Sequence, residues 1–234
     1  MGTFKITYLH HSGFICELED CILVFDYYMD PEGKLDDLCE VSSKPLYFFV
    51  SHFHADHFNP EINRFESRAE GYFIHRDCTL TLRNHEMLHC MEVGDFMVTK
   101  YFRIKMFGST DAGGSFLINH PKASVFHAGD LNWWHWEEED DAYNRMMRGD
   151  YQKEIETLTG EKIDLAFVVL DPRQEEQFYW GFDWYMRHTD TKIVFPMHMW
   201  KQYEVQDRLI GMEVSEPYRE KIMRIREMGQ VFEL

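Results

Sequence analysis

The sequence has no uninterrupted apolar run near the ~20 residues that a membrane-spanning helix needs, which argues against a helical membrane protein. Cysteine is also scarce: there are five in 234 residues, and none forms a Cys-x-x-Cys pair. An odd number without paired spacing argues against a disulfide framework and against a cysteine metal site. The chain shows no Pro/Gly/Ser-rich linker and no internal repeat, so we expect one domain over residues 1–234.

Positive charge is in short supply as well. The chain carries 24 Lys and Arg against 41 Asp and Glu, which gives a formal net charge of −17. Such a surface repels phosphate backbones and anionic lipids, so we expect neither nucleic acid nor a membrane surface as a partner. The opening segment MGTFKITYLHHSGF has no long apolar stretch after a basic region and does not match a secretory signal. We therefore expect a cytoplasmic protein.

What the sequence has is ordinary globular composition, with 44% hydrophobic and 28% charged residues. Short apolar runs predict strands at 4–9, 13–18, 21–26, 46–51, 71–75, 96–102, 115–119, 123–129, 165–171 and 192–197, the first three as an antiparallel meander. Helices are predicted just after Asn59-Pro60 and over 136–159, 177–188 and 215–228. Many strands with a few helices favour two packed sheets covered by helices.

One segment concentrates residues that bind metals. The strand at 46–51 runs directly into His52-x-His54-x-Asp56-His57. Residues two apart on an extended chain point the same way, so His52 and His54 can reach one metal together. A turn at Ala55 then lets Asp56 and His57 face a second metal nearby. Imidazole and carboxylate ligands suit Zn²⁺, Mn²⁺ or Fe²⁺, so the pattern predicts two divalent metal ions.

This motif resembles the signature of the metallo-β-lactamase fold superfamily, and the resemblance covers nearly the whole chain. The segment HAGD (127–130) is similar to its strand-end aspartate, and FPMHMW (195–200) to its last ligand strand. The resemblance implies that Asp130 bridges the metals and that His198 is a further ligand. It also implies an α+β fold, a four-layer αββα sandwich of two mixed sheets flanked by helices.

The segment from GSTD through HAGDLNWWHW also resembles a bacterial subgroup of hydrolases, and more distantly the chain resembles the lactonase that opens ascorbate 6-phosphate. The sequence departs from the superfamily at one point. The loop 107–114 lacks the further histidine that usually binds the first metal. Asp111 is the best replacement, and a turn-capping aspartate is the alternative for it. An oxygen donor there weakens the preference for Zn²⁺ and leaves the filling of the first site open.

The implied chemistry is hydrolysis of an ester, lactone or phosphoester of a small, anionic metabolite by a hydroxide held between the two metals. Asp56 would orient or deprotonate that water. Other roles are expected from residues near the site. His135 is a candidate proton donor to the leaving group, and candidate substrate contacts are Trp134, Trp136, Arg173, His11 and Lys201. The tryptophans could instead cap the core, and Arg173 could instead form a surface ion pair.

Other functions stay open at this point. A catalytically inactive metal-binding or sensing module would also explain a motif that lacks one histidine. A nucleic-acid phosphodiesterase of the same fold is a second alternative, which the net charge disfavours. A redox di-iron site is disfavoured because those relatives have Glu where His54 stands. The aromatic stretch 178–185 predicts either core packing or a subunit contact in a homo-oligomer.

Overall fold

The protein is described by a computed structural model that covers residues 4–234, so residues 1–3 of the expected domain lie outside the described residues. The strands of this part are β1 (Lys5–His10), β2 (Gly13–Glu17), β3 (Ile22–Phe25), β4 (Leu46–Val50), β5 (Ala69–His75), β6 (Leu88–Met91), β7 (Phe96–Val98), β8 (Arg103–Phe107), β9 (Ser115–His120), β10 (Ala123–His127), β11 (Lys162–Val169), β12 (Asp190–Met197) and β13 (Val231–Glu233). The α-helices are α1 (Lys34–Val41), α2 (Asp141–Glu156), α3 (Trp180–His188) and α4 (Glu204–Gly211).

The strands form two mixed sheets. The first has the order β13-β1-β2-β3-β4-β5-β6, and the second has the order β12-β11-β10-β9-β8-β7. β1, β2 and β3 pair antiparallel, as predicted for the meander, whereas β3, β4, β5 and β6 pair in parallel. In the second sheet β10, β11 and β12 are parallel and the rest antiparallel. The predicted class, an α+β sandwich of two mixed sheets flanked by helices, is confirmed.

The sheets pack face to face through aromatic side chains. Phe14 of the first sheet stacks on Phe167 of the second, with ring centroids 4.1 Å apart, and Phe49 meets Phe116 at 5.6 Å. Neighbouring positions on the first sheet point the other way. Phe48, for example, packs outside with residues that include Leu35 of α1. Strands such as β4 are therefore buried on both faces, which is why they appear in the sequence as continuous apolar runs.

The helix predicted over 136–159 is α2, and the one predicted over 177–188 is α3. The acidic run before α2 supplies its N-cap: Asp140 accepts a hydrogen bond from the backbone nitrogen of Tyr143 at 2.8 Å. In α3 the side chains of Phe182 and Tyr185 are buried in the core, so that part of the aromatic stretch packs internally. Among the described residues no helix is both long enough and apolar enough to cross a membrane.

The prediction of a helix over 215–228 is wrong. Its regularly spaced apolar residues Tyr218, Ile222 and Ile225 are buried, but on an irregular chain with only a short 3₁₀ turn at Arg219–Lys221. Ile222 instead forms a bridge beside Val194 of β12. The helix expected after Asn59-Pro60 is a 3₁₀ helix over Pro60–Phe65, and α1, α4, β6, β8 and β13 were not predicted.

Candidate metal centre

The His52–His57 segment leaves the end of β4 and turns at once. The backbone nitrogens of His57 and Phe58 both donate to the His54 carbonyl oxygen, at 3.0 and 2.9 Å. This single turn sends the side chains of His52 and His54 one way and those of Asp56 and His57 another. The separation into two pairs that the spacing predicted is therefore produced by one tight backbone turn.

Two groups of side chains result, each with ligand atoms within 4.8 Å of one another. The first group is His52, His54 and Asp130. In this group, Nε2 of His52 lies 3.0 Å from Nδ1 of His54 and 3.4 Å from Oδ2 of Asp130. The second group is His11, Asp56, His57 and His198.

Asp130 connects the two groups, because its two carboxylate oxygens face different ways. Oδ2 points to the first group, as given above. Oδ1 lies 3.0 Å from Nε2 of His57 and 3.3 Å from Nε2 of His198 in the second group. One carboxylate with an oxygen toward each of two imidazole clusters is the arrangement that a bridging ligand between two cations needs.

Five buried atoms of the centre that could bind a metal have no hydrogen-bond partner among residues 4–234. These buried atoms are Nε2 of His57, Nε2 of His198, Oδ1 of Asp130 and both ring nitrogens of His11. Leaving buried polar atoms unpaired costs free energy, and such atoms normally find a partner. Converging unpaired imidazole nitrogens and carboxylate oxygens fit divalent cations such as Zn²⁺, Mn²⁺ or Fe²⁺.

The opposite edges of these rings are held by other residues. Asp26, at the end of β3 and 1% exposed, accepts hydrogen bonds from Nδ1 of His57 and from both the backbone nitrogen and Oγ of Ser51, each at 2.7 Å. Ser51 Oγ in turn lies 2.9 Å from Nδ1 of His52. Because Nδ1 is engaged in each ring, Nε2 is left as the atom available to a metal.

The carboxylate of Asp171 orients the imidazole of His198 in the same way. Asp171 follows β11, is fully buried, and accepts from Nδ1 of His198 at 2.8 Å. Arg173 donates from Nε and Nη2 to the same carboxylate. Burial opposes ionisation of Asp171, but His198 and Arg173 outweigh it and lower its pKa. The imidazole is therefore oriented by an ionised group that reaches the protein surface through Arg173.

The electrostatics of the centre follow from close packing of opposite charges. Burial works against protonation of His57, yet the carboxylates beside it, above all Asp130, raise its pKa well above the usual range. Burial likewise works against ionisation of Asp130, yet His57 and His198 lower its pKa well below the usual range. Burial, partly opposed by the Asp56 carboxylate, lowers the pKa of His11 to about 4. His11 is therefore neutral at pH 7 and keeps its lone pair.

Two glycines allow the loops to approach this closely. A Cβ on Gly113 would lie 2.0 Å from the Ser51 carbonyl oxygen, and one on Gly129 would lie 2.7 Å from Ser51 Cβ. Both residues also have positive φ, 71° and 55° respectively, which glycine adopts without strain. The loop 107–114 and the segment leading to Asp130 thus pack directly on the strand end that carries the motif.

A cavity of about 350 Å³ opens beside the centre. Its lining includes metal-centre side chains (His54, Asp56, Asp130, His198), apolar and aromatic side chains (Trp134, Trp136, Tyr143, Met147) and polar side chains (Thr110, Asp111, Arg173). The indole of Trp134 donates from Nε1 to the Asp130 carbonyl oxygen at 3.0 Å and stacks on Trp136. The cavity therefore has one acidic, imidazole-rich end and one aromatic wall.

The predicted substrate and catalytic residues divide by position. Trp134, Trp136 and Arg173 line the cavity. His135 does not line it; its ring lies 4.9 Å from that of Trp180. Lys201 is exposed and is not among the lining residues.

The structure places Asp111 and His11 differently from the positions that their predicted roles require. Asp111, the one acidic residue of loop 107–114, lines the cavity but lies outside both ligand groups. His11 is predicted from the sequence as a substrate contact. It is 1% exposed, does not line the cavity, and belongs to the second ligand group.

Sequence reasoning missed Asp171 and Ser51. A signal existed for Asp171, because it ends an apolar strand just as Asp26 and Asp130 do. The sequence prediction rests instead on its neighbour Arg173, whose positive charge suits an anion contact. Ser51 gave no comparable signal, since serine at a strand end is common.

Solved structures with the same fold match the chain over its whole length. Igni18, a metallo hydrolase from the archaeon Ignicoccus hospitalis, matches at 15% identity and TM-score 0.69, over 99% of this chain and 98% of that one. YhfI, a metallo-β-lactamase fold protein from Bacillus subtilis, matches at 12% identity and TM-score 0.63, over all of both chains.

A third match shows that this fold also hosts other chemistry. CmlA, a diiron β-hydroxylase from Streptomyces venezuelae, matches at 11% identity and TM-score 0.65, over 100% of this chain and 54% of that one. No model of a known protein family matches the sequence, and no curated protein matches it. Identities this low establish a shared fold and leave the activity to the site itself. The two mixed sheets, the order of the motifs and these matches together show that the chain has the metallo-β-lactamase fold.

Proposed function

We propose that this chain is a metal-dependent hydrolase that cleaves an ester, lactone or phosphoester bond of a small, anionic metabolite. The observation that supports it best is the placement of Asp130, with one oxygen toward each of two histidine groups at 3.0–3.4 Å. A single structural metal would need only one such group. Two groups joined by a carboxylate, beside an open cavity, are typical of hydrolytic centres.

The residues divide into two holding sets. His52, His54 and Asp130 would hold one divalent cation, and Asp130 with Asp56, His57 and His198 the other. When bound, two such cations acidify water and polarise the oxygen of a scissile carbonyl or phosphoryl group. The hydrogen bonds from Asp26 and Asp171 keep the imidazoles aimed, so little reorganisation is needed when an ion arrives.

Asp56 is the group best placed to handle a proton. Its side chain is 27% exposed and lines the cavity, whereas Asp130 beside it is nearly buried. Burial opposes its ionisation, but His11 and His57 outweigh that effect and lower its pKa below the usual range. The carboxylate is therefore ionised at neutral pH, where it can accept a hydrogen bond from a water molecule in the cavity and orient its oxygen toward a substrate.

The cavity walls support a small substrate with a negative charge. A volume of about 350 Å³ is at the low end for ligand sites and suits a metabolite better than a polymer. Among the lining residues that the structure describes, Arg173 is the one Lys or Arg side chain. It uses Nε and Nη2 for Asp171, which leaves Nη1 for a carboxylate or phosphate of the substrate.

The test is turnover by purified protein loaded with Mn²⁺ or Zn²⁺ against a panel of esters, lactones and phosphoesters. We expect cleavage by the wild type and a loss of at least about 100-fold in kcat for Asp56→Asn, compared at equal bound metal as determined by elemental analysis. No cleavage of any panel member by fully loaded protein would favour the inactive metal-binding module instead. Arg173→Gln should raise KM about 10-fold more for anionic substrates than for neutral isosteres of the same size, because any disturbance of Asp171 and His198 affects both kinds of substrate alike.

A further inference from the structure

The loop after β1 brings a histidine into the metal centre from an unexpected part of the chain. The ring of His11 lies 4.0 Å from that of His198 and 5.5 Å from that of His57, measured between centroids. Its Nε2 atom is 3.3 Å from Oδ2 of Asp56. The four residues come from three separate segments, which follow β1, β4 and β12, and their ligand atoms lie within 4.8 Å of one another.

We propose that His11 is a metal ligand, and that it makes the second group the tighter of the two cation positions. The second group offers four side chains, His11, Asp56, His57 and His198, in addition to the nearer oxygen of Asp130. The first group offers three, and Asp111 lies outside it. With more donors and deeper burial, the second position would fill first, and the first position would be the exchangeable one.

Two other roles for His11 fit the structure less well. A substrate contact needs access to the cavity, but His11 is 1% exposed and does not line it. A purely orienting role toward Asp56 needs a well-aligned hydrogen bond, but Nε2 of His11 approaches Oδ2 of Asp56 only to 3.3 Å, and neither ring nitrogen meets the geometry of a hydrogen bond in the described part of the chain. A buried imidazole with both nitrogens unpaired is costly, and coordination of an ion by Nε2 would remove half of that cost.

The backbone holds His11 in this position. His11 and His198 both have left-handed conformations, with φ of 55° and 67°. Left-handed φ is uncommon outside glycine and persists where surrounding contacts enforce it. One such contact joins the two residues directly, because the backbone nitrogen of His198 donates to the carbonyl oxygen of His11 at 3.2 Å. The two loops are thereby locked together with both imidazoles on the same side.

The test measures metal binding and needs no substrate. We would titrate metal-free protein with Co²⁺ and record the affinity of the first equivalent by chelator competition. His11→Gln keeps an amide that can donate to Asp56 but is a poor ligand. We expect it to weaken the first equivalent at least about 100-fold, beyond what loss of an orienting partner costs. Affinity within threefold of the wild type would overturn the proposal.

The matched control is the preceding residue. His10 is also buried, also has two unpartnered ring nitrogens, and packs on Tyr28 outside both ligand groups. His10→Gln should leave the affinity of the first equivalent unchanged. If it weakens binding as much as His11→Gln does, the effect is a general disturbance of the loop and the proposal fails.

A second measurement covers the case in which His11→Gln does not fold. Asn tolerates left-handed φ, so His11→Asn is the alternative variant, with its fold checked by circular dichroism. On the wild type, one equivalent of Co²⁺ should give three paramagnetically shifted imidazole N–H proton signals, from His11, His57 and His198. Two signals would overturn the proposal.

This inference shares with the proposed function only the requirement for bound cations. Three imidazole signals without turnover on any substrate would uphold the ligand assignment and refute the hydrolase. Turnover with two signals would do the reverse. The two outcomes are therefore distinguishable in one preparation of protein.

Discussion

Replacing Asp26 tests most directly how the centre is held together. Its buried carboxylate accepts three hydrogen bonds of 2.7 Å, from the backbone nitrogen and Oγ of Ser51 and from Nδ1 of His57. Hydrogen bonds to a charged group contribute about 1.5–3 kcal/mol each. Water entering the space left by Asp26→Ala would satisfy part of the loss. We expect the free energy of unfolding to fall by about 3–5 kcal/mol, the range for breaking a buried pair.

The assay is urea unfolding of the metal-free protein, with a surface aspartate as control. Asp36 accepts two hydrogen bonds from Arg64, at 2.6 and 2.7 Å, so its hydrogen bonds are as short as those of Asp26, but its side chain is 48% exposed. Asp36→Ala should cost less than about 1 kcal/mol. Equal losses for the two variants would show that burial of the Asp26 network contributes nothing, and the reasoning would be wrong.

Three further predictions concern packing, metal and pH. Gly113→Ala places a Cβ 2.0 Å from Ser51, so it should lower the midpoint of thermal unfolding strongly, whereas Gly149→Ala, with open space in α2, should stabilise by about 0.5–1 kcal/mol. Mn²⁺ or Zn²⁺ should raise the midpoint of thermal unfolding. At a free metal concentration 100 times Kd, the free energy of unfolding should increase by about 2.7 kcal/mol, and a chelator should reverse the increase. Because the pKa values of Asp26 and Asp171 are lowered on folding, the unfolded chain binds more protons in acid. The stability that these two carboxylates contribute to the metal-free protein should therefore be fully present above about pH 5 and be lost as the pH drops below the ordinary carboxyl pKa near 4, and Asp26→Asn should flatten that loss.

The sequence predicted the structure best where a single local property, such as burial on both faces of a strand, decides the conformation. Strands buried on both faces appear as apolar runs, so β4 could be predicted to within one residue and β11 to within three residues at its start and two at its end. The ligand motif was equally clear, because four residues that bind metals stand within six positions of a strand end. Both signals lie within a few consecutive residues, so they can be recognised in a single sequence.

The prediction of a helix over 215–228 failed because the residues there are buried as expected but the backbone is not helical. Tyr218, Ile222 and Ile225 have helical spacing and are buried, but the chain there lies beside β12 and bonds to it: the nitrogen of Met223 donates to the Val194 carbonyl oxygen at 2.9 Å. Spacing alone predicts which residues are buried and leaves the path of the chain undetermined.

The role of His11 could not be predicted for a different reason. In the sequence it is one of thirteen histidines, 45 residues from Asp56 and far from His198. Only the pairing of β1 with β2 and the contact of its loop with the loop after β12 bring these side chains together. A ligand that is supplied by tertiary structure has no spacing to recognise.

A common plan relates the aspartates at the strand ends. Asp26, Asp130 and Asp171 each follow an apolar strand, and all three converge on the same edge of the sandwich. Their roles differ because each carboxylate faces a different edge of the neighbouring imidazole. Asp130 meets the Nε2 side of the imidazoles and faces the cavity, whereas Asp26 and Asp171 meet the Nδ1 side and are sealed behind them. Since a carboxylate behind an imidazole increases its basicity and fixes its tautomer, Asp26 and Asp171 prepare the rings, and Asp130, which lines the cavity, would share the ions. The same concentration of negative charge would repel an anionic substrate, so attraction at this edge must come from the cations together with Arg173, and binding of such a substrate should depend on the metal.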